Sequence, residues 1–279
     1  SSDYSDLAGI VNFLIDEFEK TGVNISLPSL RIDAFSLDVM SKVQDIKKSS
    51  LTFAPEAGSQ RLRNVINKGL TEEVILDGAG KAFDGGWNKV KLYFMLGLPT
   101  ETEDDMKDIA HLADKIARRY YEIPKDQRNG KCQITVSTSF FVPKPFTPFQ
   151  WVPMNNWHEA DVTVLEGILA RGDRRLAPAI LRAYEKGALY DAWGENFKYS
   201  RWSEAFDEFH LDPAFYTERE RSYEEILPWD FIRIGVTKKF LWKEWERAQK
   251  EEVTKNCRAG CSGCGASVFG GGVCYEGKN

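Results

Sequence analysis

The stretch Lys89 to Asp105, KVKLYFMLGLPTETEDD, constrains the fold more tightly than any other part of the chain. It opens on an apolar run, Val90 to Leu96, broken only by Lys91, then turns on Gly97-Leu98-Pro99. An almost wholly apolar strand is expected where both faces of a parallel sheet are covered. Thr102 stands three residues before Asp105, which resembles a capping box with Asp replacing the usual Glu or Gln. Met106, Ile109, Leu112, Ala113 and Ile116 then recur at helical spacing. The whole is one strand–loop–helix unit. Its loop lies at the carboxyl end of the strand, where α/β folds bind ligands.

The same alternation runs through the first half of the chain. Ser5–Lys20 predicts a helix with Leu7, Ile10, Val11, Leu14, Ile15 and Phe18 on one stripe, and Thr21-Gly22 ends it. A short strand is expected over Asn24–Pro28, a helix over Ser36–Ile46, a strand over Ser50–Ala54 and helices over Gln60–Ile66 and Glu72–Phe83. After the central unit comes a polar loop, Ile123–Lys131, and a strand over Gln133–Val142 that Pro143, Pro145 and Pro148 prevent from continuing. Strands alternating with helices argue a parallel sheet with helical crossovers. Four strands cannot close an eight-strand barrel, but they suit part of one.

Beyond Trp151 the pattern becomes helical and aromatic, with helices expected over Asp161–Arg171, Arg174–Lys186, Asn196–Phe209 and Leu227–Ala248. The expected organisation is an α/β partial barrel over 1–150, a helical extension over 151–256 and a Cys/Gly-rich tail over 257–279. Ser1-Ser2-Asp3-Tyr4 leads at once into a helix and reads as the middle of a longer chain.

Composition excludes several classes. A net charge of −5 gives no bulk electrostatic case for nucleic acid. No apolar run reaches the ~20 residues of a membrane helix, and no signal peptide is recognisable, so a cytoplasmic location with no membrane partner is expected. The three histidines, His111, His158 and His210, are scattered, which argues against a His-based hydrolase or zinc peptidase. Of five cysteines, Cys132 reads as a small core residue, whereas Cys257, Cys261, Cys264 and Cys274 crowd into the tail. Clustered cysteines in a cytosolic chain favour a metal over disulfides.

Four strand ends carry unusual residues: Arg31 and Asp33, then Ala54-Pro55-Glu56-Ala57-Gly58-Ser59 with Arg63 behind it, then Gly97-Leu98-Pro99, then Val142-Pro143-Lys144-Pro145. A carboxylate near backbone N–H groups can hold an amine or ribose hydroxyls, and an Arg can clamp a carboxylate. Gathered on one rim, they make a ligand site.

In this order the loops resemble those of radical S-adenosylmethionine (SAM) enzymes. GLPTET is similar to their GLPGET-type loop. APEAGSQRLRNVINKG resembles the loop after the fourth strand in a subgroup with methylthiotransferase-like and cobalamin-linked members. SLPSLRID and FFVPKPFTPFQW resemble the ends of the third and sixth strands, and LPWDFIRIGVTKKFL resembles a C-terminal extension of uncharacterised members with an N-terminal cobalamin-binding domain. The resemblance implies a partial (β/α)6 TIM-like barrel with strands three to six present. It implies that Gly97, Leu98 and Pro99 wall the adenine and methionine moieties, that Glu56, Ser59 and Arg63 approach the ribose or methionine end, that Arg31 is a polar contact, and that Val142, Pro143 and Pro145 border the adenine. Phe146 and Phe231 stand where close relatives carry His.

In this family a 4Fe-4S cluster sits on C-x3-C-x2-C after the first strand and binds SAM, whose cleavage gives a 5′-deoxyadenosyl radical. That loop is expected ahead of Ser1, in a missing N-terminal half of the protein. Cys257-x3-Cys261-x2-Cys264 repeats the spacing but follows the barrel strands, with Cys274 as a fourth thiol. Four thiolates suit structural zinc or an auxiliary iron–sulfur cluster. The expected function is therefore the C-terminal portion of a radical SAM enzyme. It is expected to be cobalamin-linked, to transfer methyl or methylthio groups to a protein, RNA or small molecule, and to be inactive as the isolated chain. The alternative is a non-catalytic, zinc-stabilised binding or scaffold module.

Overall fold

The structure is a computed structural model that describes residues 6–18, 21, 51–154, 161–257 and 259–269. The strand expected over Asn24–Pro28 and the helix over Ser36–Ile46 lie outside these residues. The chain divides into two compact units, Ser1–Leu96 with Thr100–Ser139, and Gly97–Pro99 with Phe140–Asn279.

In the first unit, α1 (Leu7–Phe18) precedes a three-stranded sheet of β1 (Leu51–Glu56), β2 (Lys89–Leu96) and β3 (Gln133–Phe140), in that order. Helices α2 (Gln60–Val65) and α3 (Glu72–Asp84) join β1 to β2, and α4 (Glu103–Tyr121) joins β2 to β3. β1 and β2 pair in parallel, Leu51 opposite Val90 and Phe53 opposite Leu92. On α1, Val11 is buried, but Ile10 is 44% exposed, so the inward stripe is narrower than its apolar content suggests.

The core of this unit lies on one face of the sheet. Leu51, Phe53, Val90, Leu92 and Phe94 pack with Ile75, Ala79 and Phe83 of α3 and Ile109, Leu112 and Ile116 of α4. Tyr120 closes it edge-on to Phe83, ring centroids 5.1 Å apart, and its hydroxyl donates to the Gly130 carbonyl at 2.9 Å. The expectation that both faces of β2 are covered is corrected here. Its alternate residues Lys91, Tyr93 and Met95 are half-buried to exposed, Tyr93 being 39% exposed. The Lys91 ammonium lies 4.6 Å from the Tyr93 ring centroid. Apolar content alone suggested a two-sided strand, because Tyr and Met suit a half-wet surface as well as a core.

The second unit is helical among the described residues: α5 (Asp161–Arg171), α6 (Leu176–Glu185), α7 (Tyr199–Glu208), α8 (Pro213–Thr217) and α9 (Lys238–Gln249). One core gathers Leu165 and Ile168 with Ala179, Trp202, Phe206 and Tyr216. A second gathers Trp151, Leu227, Trp229 and Leu241. The helix expected from Leu227 begins only at Lys238. Asp230 N–H donates to the Leu227 carbonyl at 3.0 Å across a Pro228 turn, Gly235 takes φ 87°, and Thr237 caps the helix by accepting from Phe240 N–H. Short α8 had no periodicity to announce it, only the Asp212 cap and Pro213 at its start. No helix among the described residues is long and apolar enough to cross a membrane.

Candidate functional site

The carboxyl end of β1 is where the first unit departs from regular structure. Between Phe53 and Glu56 the pairing with β2 slips, so β1 carries a bulge at Ala54-Pro55. Pro55 has no N–H to give the ladder, which makes a bulge the natural place for it. Glu56 then adopts φ 68°, a left-handed conformation that L residues other than Asn and Asp rarely take. A bulge re-aims the side chain beside it, and backbone strain of this kind concentrates at functional sites. The Glu56 carboxylate is partly exposed and accepts from the Lys68 ammonium at 3.0 Å.

Behind Glu56 the loop is held rigidly. Ala57, Gly58 and Ser59 are all buried. A Cβ on Gly58 would lie 2.2 Å from the Ile109 backbone nitrogen, so only glycine lets the loop lie against α4. Ser59 caps α2, accepting from Leu62 N–H at 3.1 Å, and its hydroxyl donates to Asp105 Oδ1 at 2.5 Å. Arg63 is wholly buried. Its Nη1 donates to the Ala57 and Gly58 carbonyls at 3.0 and 2.7 Å, its Nε to the Leu70 carbonyl at 3.1 Å and its Nη2 to Gln60 Oε1 at 3.2 Å. Ser59 and Arg63, expected to approach a cofactor, are thus directed inward. They position the loop that presents Glu56.

Asp105 ties this loop to the next. The capping box is present: Thr102 accepts from Asp105 N–H and Asp105 Oδ2 accepts from Thr102 N–H at 2.9 Å. The same carboxylate is ion-paired with Arg61, which also donates to the Thr100 carbonyl at 2.8 Å. Burial alone would raise the Asp105 carboxyl, but hydrogen bonds from Arg61, Ser59 and Thr102 overcome it and hold the group well below the usual carboxylate range. Sequence reading found the Thr102–Asp105 cap and missed Arg61 and Ser59 as its partners, because nothing local links residues 44 and 46 positions apart.

The remaining candidates fall elsewhere. Gly97, Leu98 and Pro99 group with the second unit, as do Val142, Pro143 and Pro145. Gly97 takes φ 80°, which explains a glycine at that turn, and Leu98, Pro99, Val142 and Pro143 are buried. Phe146, also left-handed at φ 60°, packs against the Trp151 core, and its N–H donates to Gln150 Oε1 at 3.1 Å. Arg31 and Cys274 lie outside the described residues. Cys257, Cys261 and Cys264 are free thiols, and among the described residues no three His, Cys, Asp or Glu side chains converge to hold a metal.

A group that sequence reading missed lies in the second unit. Arg171 and Arg221 are buried beside Arg219, with Glu225 bound to Arg219 at 2.7 and 2.8 Å. Burial, with Arg221 and Arg219 close by, pushes Arg171 down to about 9. Arg171 donates to the Val152 carbonyl and Arg221 to the Arg171 carbonyl at 2.8 Å, so both cations brace backbone.

Two comparisons bear on what the first unit does. Residues 1–113 match the family model described as the Radical SAM superfamily. The chain is also 39% identical over 148 residues to an uncharacterised protein of Methanocaldococcus jannaschii, an alignment covering 53% of this chain and 29% of that protein. The chain therefore spans well under two thirds of the curated relative it matches.

Proposed function

We propose that this chain is the later-strand portion of a radical SAM enzyme and that the carboxyl end of β1 forms part of its SAM site. The match over residues 1–113 supports the family, and the left-handed Glu56 beside the β1 bulge supports the place. A 4Fe-4S cluster, when bound, would supply the electron for reductive cleavage of SAM.

The residues present fit SAM in part. Glu56 offers a partly exposed carboxylate at a strand end, suited to ribose hydroxyls or an amine, and it accepts from Lys68 Nζ at 3.0 Å. Ser59 and Arg63 hold the loop through its own carbonyls and Asp105, and the Arg61–Asp105 pair fixes where α4 starts. Arg31 would supply a further polar contact, and Gly97, Leu98, Pro99, Val142, Pro143 and Pro145, which belong to the second unit, are candidates for the adenine wall by resemblance alone. In this reading the cluster loop precedes Ser1, and the greater length of the Methanocaldococcus protein leaves room for it. The finer reading is a cobalamin-linked cytoplasmic enzyme that moves methyl or methylthio groups. The resemblance of LPWDFIRIGVTKKFL and of the β1 loop to such members supports it.

The test is SAM binding and reductive SAM cleavage by the full-length protein, purified anaerobically, with and without Glu56→Gln. The expected result is cleavage by the wild type and at least tenfold weaker SAM binding in the variant. Wild-type protein with an intact cluster and no cleavage overturns the family reading. Unchanged SAM affinity in Glu56→Gln overturns the site.

A further inference from the structure

The tail holds two sulfurs in a local geometry that an ordinary surface loop does not need. In Cys261-Ser262-Gly263-Cys264-Gly265, Gly263 N–H donates to Cys261 Sγ at 3.4 Å, and Ala266 N–H donates to Cys264 Sγ at 3.4 Å. The donor lies two residues beyond its sulfur in both cases. Gly263 takes φ 74° and Gly265 φ 100°, conformations that a side chain resists. These are two successive turns, each wrapped round a sulfur and each dependent on a glycine.

The pair is also anchored. Thr237 N–H donates to the Cys264 carbonyl at 2.9 Å, which fastens the turn to the start of α9. A Cβ on Gly265 would lie 2.7 Å from the Gly235 carbonyl oxygen and 2.9 Å from Thr237 Cγ2, so this contact requires glycine. Cys261 is exposed and Cys264 partly so, and neither is in a disulfide. A C-x2-C pair with backbone donors on its sulfurs is what one side of a tetrahedral thiolate site requires. Two sulfurs on one tight turn can share one tetrahedral ion, and the same spacing also serves the irons of a cluster, so the metal content found on these cysteines separates the two.

We infer that Cys261 and Cys264 are the preformed half of a mononuclear zinc-class metal site. Each ligating thiol loses its proton to solvent as its sulfur bonds to the metal, and no electron changes hands. Cys257 is exposed four residues upstream of Cys261, and among the described residues no third His, Cys, Asp or Glu side chain joins the pair. The inference does not depend on the radical SAM reading.

The test titrates the full chain, reduced and metal-free, with Co2+ as an optical probe and then with Zn2+ as competitor. The expected result is a thiolate-to-cobalt charge-transfer absorption that saturates at a single ion per chain and disappears as zinc displaces cobalt. Cys261→Ser and Cys264→Ser should each abolish it with unchanged far-ultraviolet circular dichroism, and Cys132→Ser should leave it intact. No charge-transfer absorption in the wild type overturns the site, as does absorption that survives in the Cys261→Ser/Cys264→Ser double variant. Iron with acid-labile sulfide on these cysteines after anaerobic purification also overturns it, in favour of a cluster.

Discussion

Ser59 and Asp105, 46 residues apart in sequence, meet at 2.5 Å, and through them the loop after β1 is fixed to the first turn of the helix after β2. The same Asp105 carboxylate caps α4 through Thr102 and binds Arg61. One side chain thus sets the relative placement of two strand-end loops. Losing its charge should release both.

Asp105→Asn should destabilise the protein by ~1–3 kcal/mol, the cost of removing one partner from a mostly buried ion pair and hydrogen-bond network. Arg61 is 31% exposed, so solvent screens its share and the lower half of that range is favoured. Urea denaturation of the two proteins side by side measures it, and a difference below ~0.5 kcal/mol would assign the network no net role.

The same group predicts an acid limb. Its folded-state value is depressed relative to the unfolded chain, so its contribution is fully present above the ordinary carboxylate value near ~4. It fades as pH falls below that. Stability measured from pH ~6 down to ~3 should therefore fall more steeply in the wild type than in Asp105→Asn. Parallel curves would show that Asp105 titrates normally.

Arg63→Lys should cost ~2–4 kcal/mol, because an ammonium cannot reproduce a planar donor set shared among three carbonyls and Gln60. It should also weaken SAM binding, although Arg63 presents no exposed donor of its own. Thermal unfolding and a binding titration separate the two effects. Weakened binding at unchanged stability would mean that Arg63 reaches the ligand directly.

Gly58→Ala forces a methyl group against the backbone at Ile109, a neighbour that cannot rotate away. The expected penalty is ~3 kcal/mol or more. A wild-type midpoint in chemical denaturation would show that the loop and α4 lie farther apart than they do here.

Glu56→Gly should do the opposite. Relief of the left-handed strain is worth ~1 kcal/mol, more than the partly exposed pair with Lys68, worth ~0–1 kcal/mol, returns. The variant should melt at or above the wild-type temperature while binding SAM less well. A clear loss of stability would show that Glu56 is there for the fold.

Much of the first unit was legible in the residues. The capping pair Thr102–Asp105, the apolar stripe Ile109, Leu112, Ile116 on α4 and the strand around Leu92 all follow from spacing within one element. Spacing is local, and so are hydrogen bonds that close within three residues. The tail cysteines were visible as a cluster for the same reason. The helix expected over Leu227–Ala248 starts only at Lys238, because the backbone limits of Pro228 and Gly235 interrupt a helix however aromatic its surroundings.

By itself the sequence determined where strands and helices alternate, which faces are apolar and that the strand ends carry the polar residues worth suspecting. Those properties are encoded in periods of a few residues and in the fixed conformational preferences of proline and glycine. Only the tertiary structure decided which of those residues look outward. Glu56 ends β1, Ser59 caps α2 and Arg63 lies within α2, yet packing buries Ser59 and Arg63 and leaves the Glu56 side chain 24% exposed. That choice depends on the position of Ile109, Leu70 and Asp105, which no pattern of nearby residues specifies.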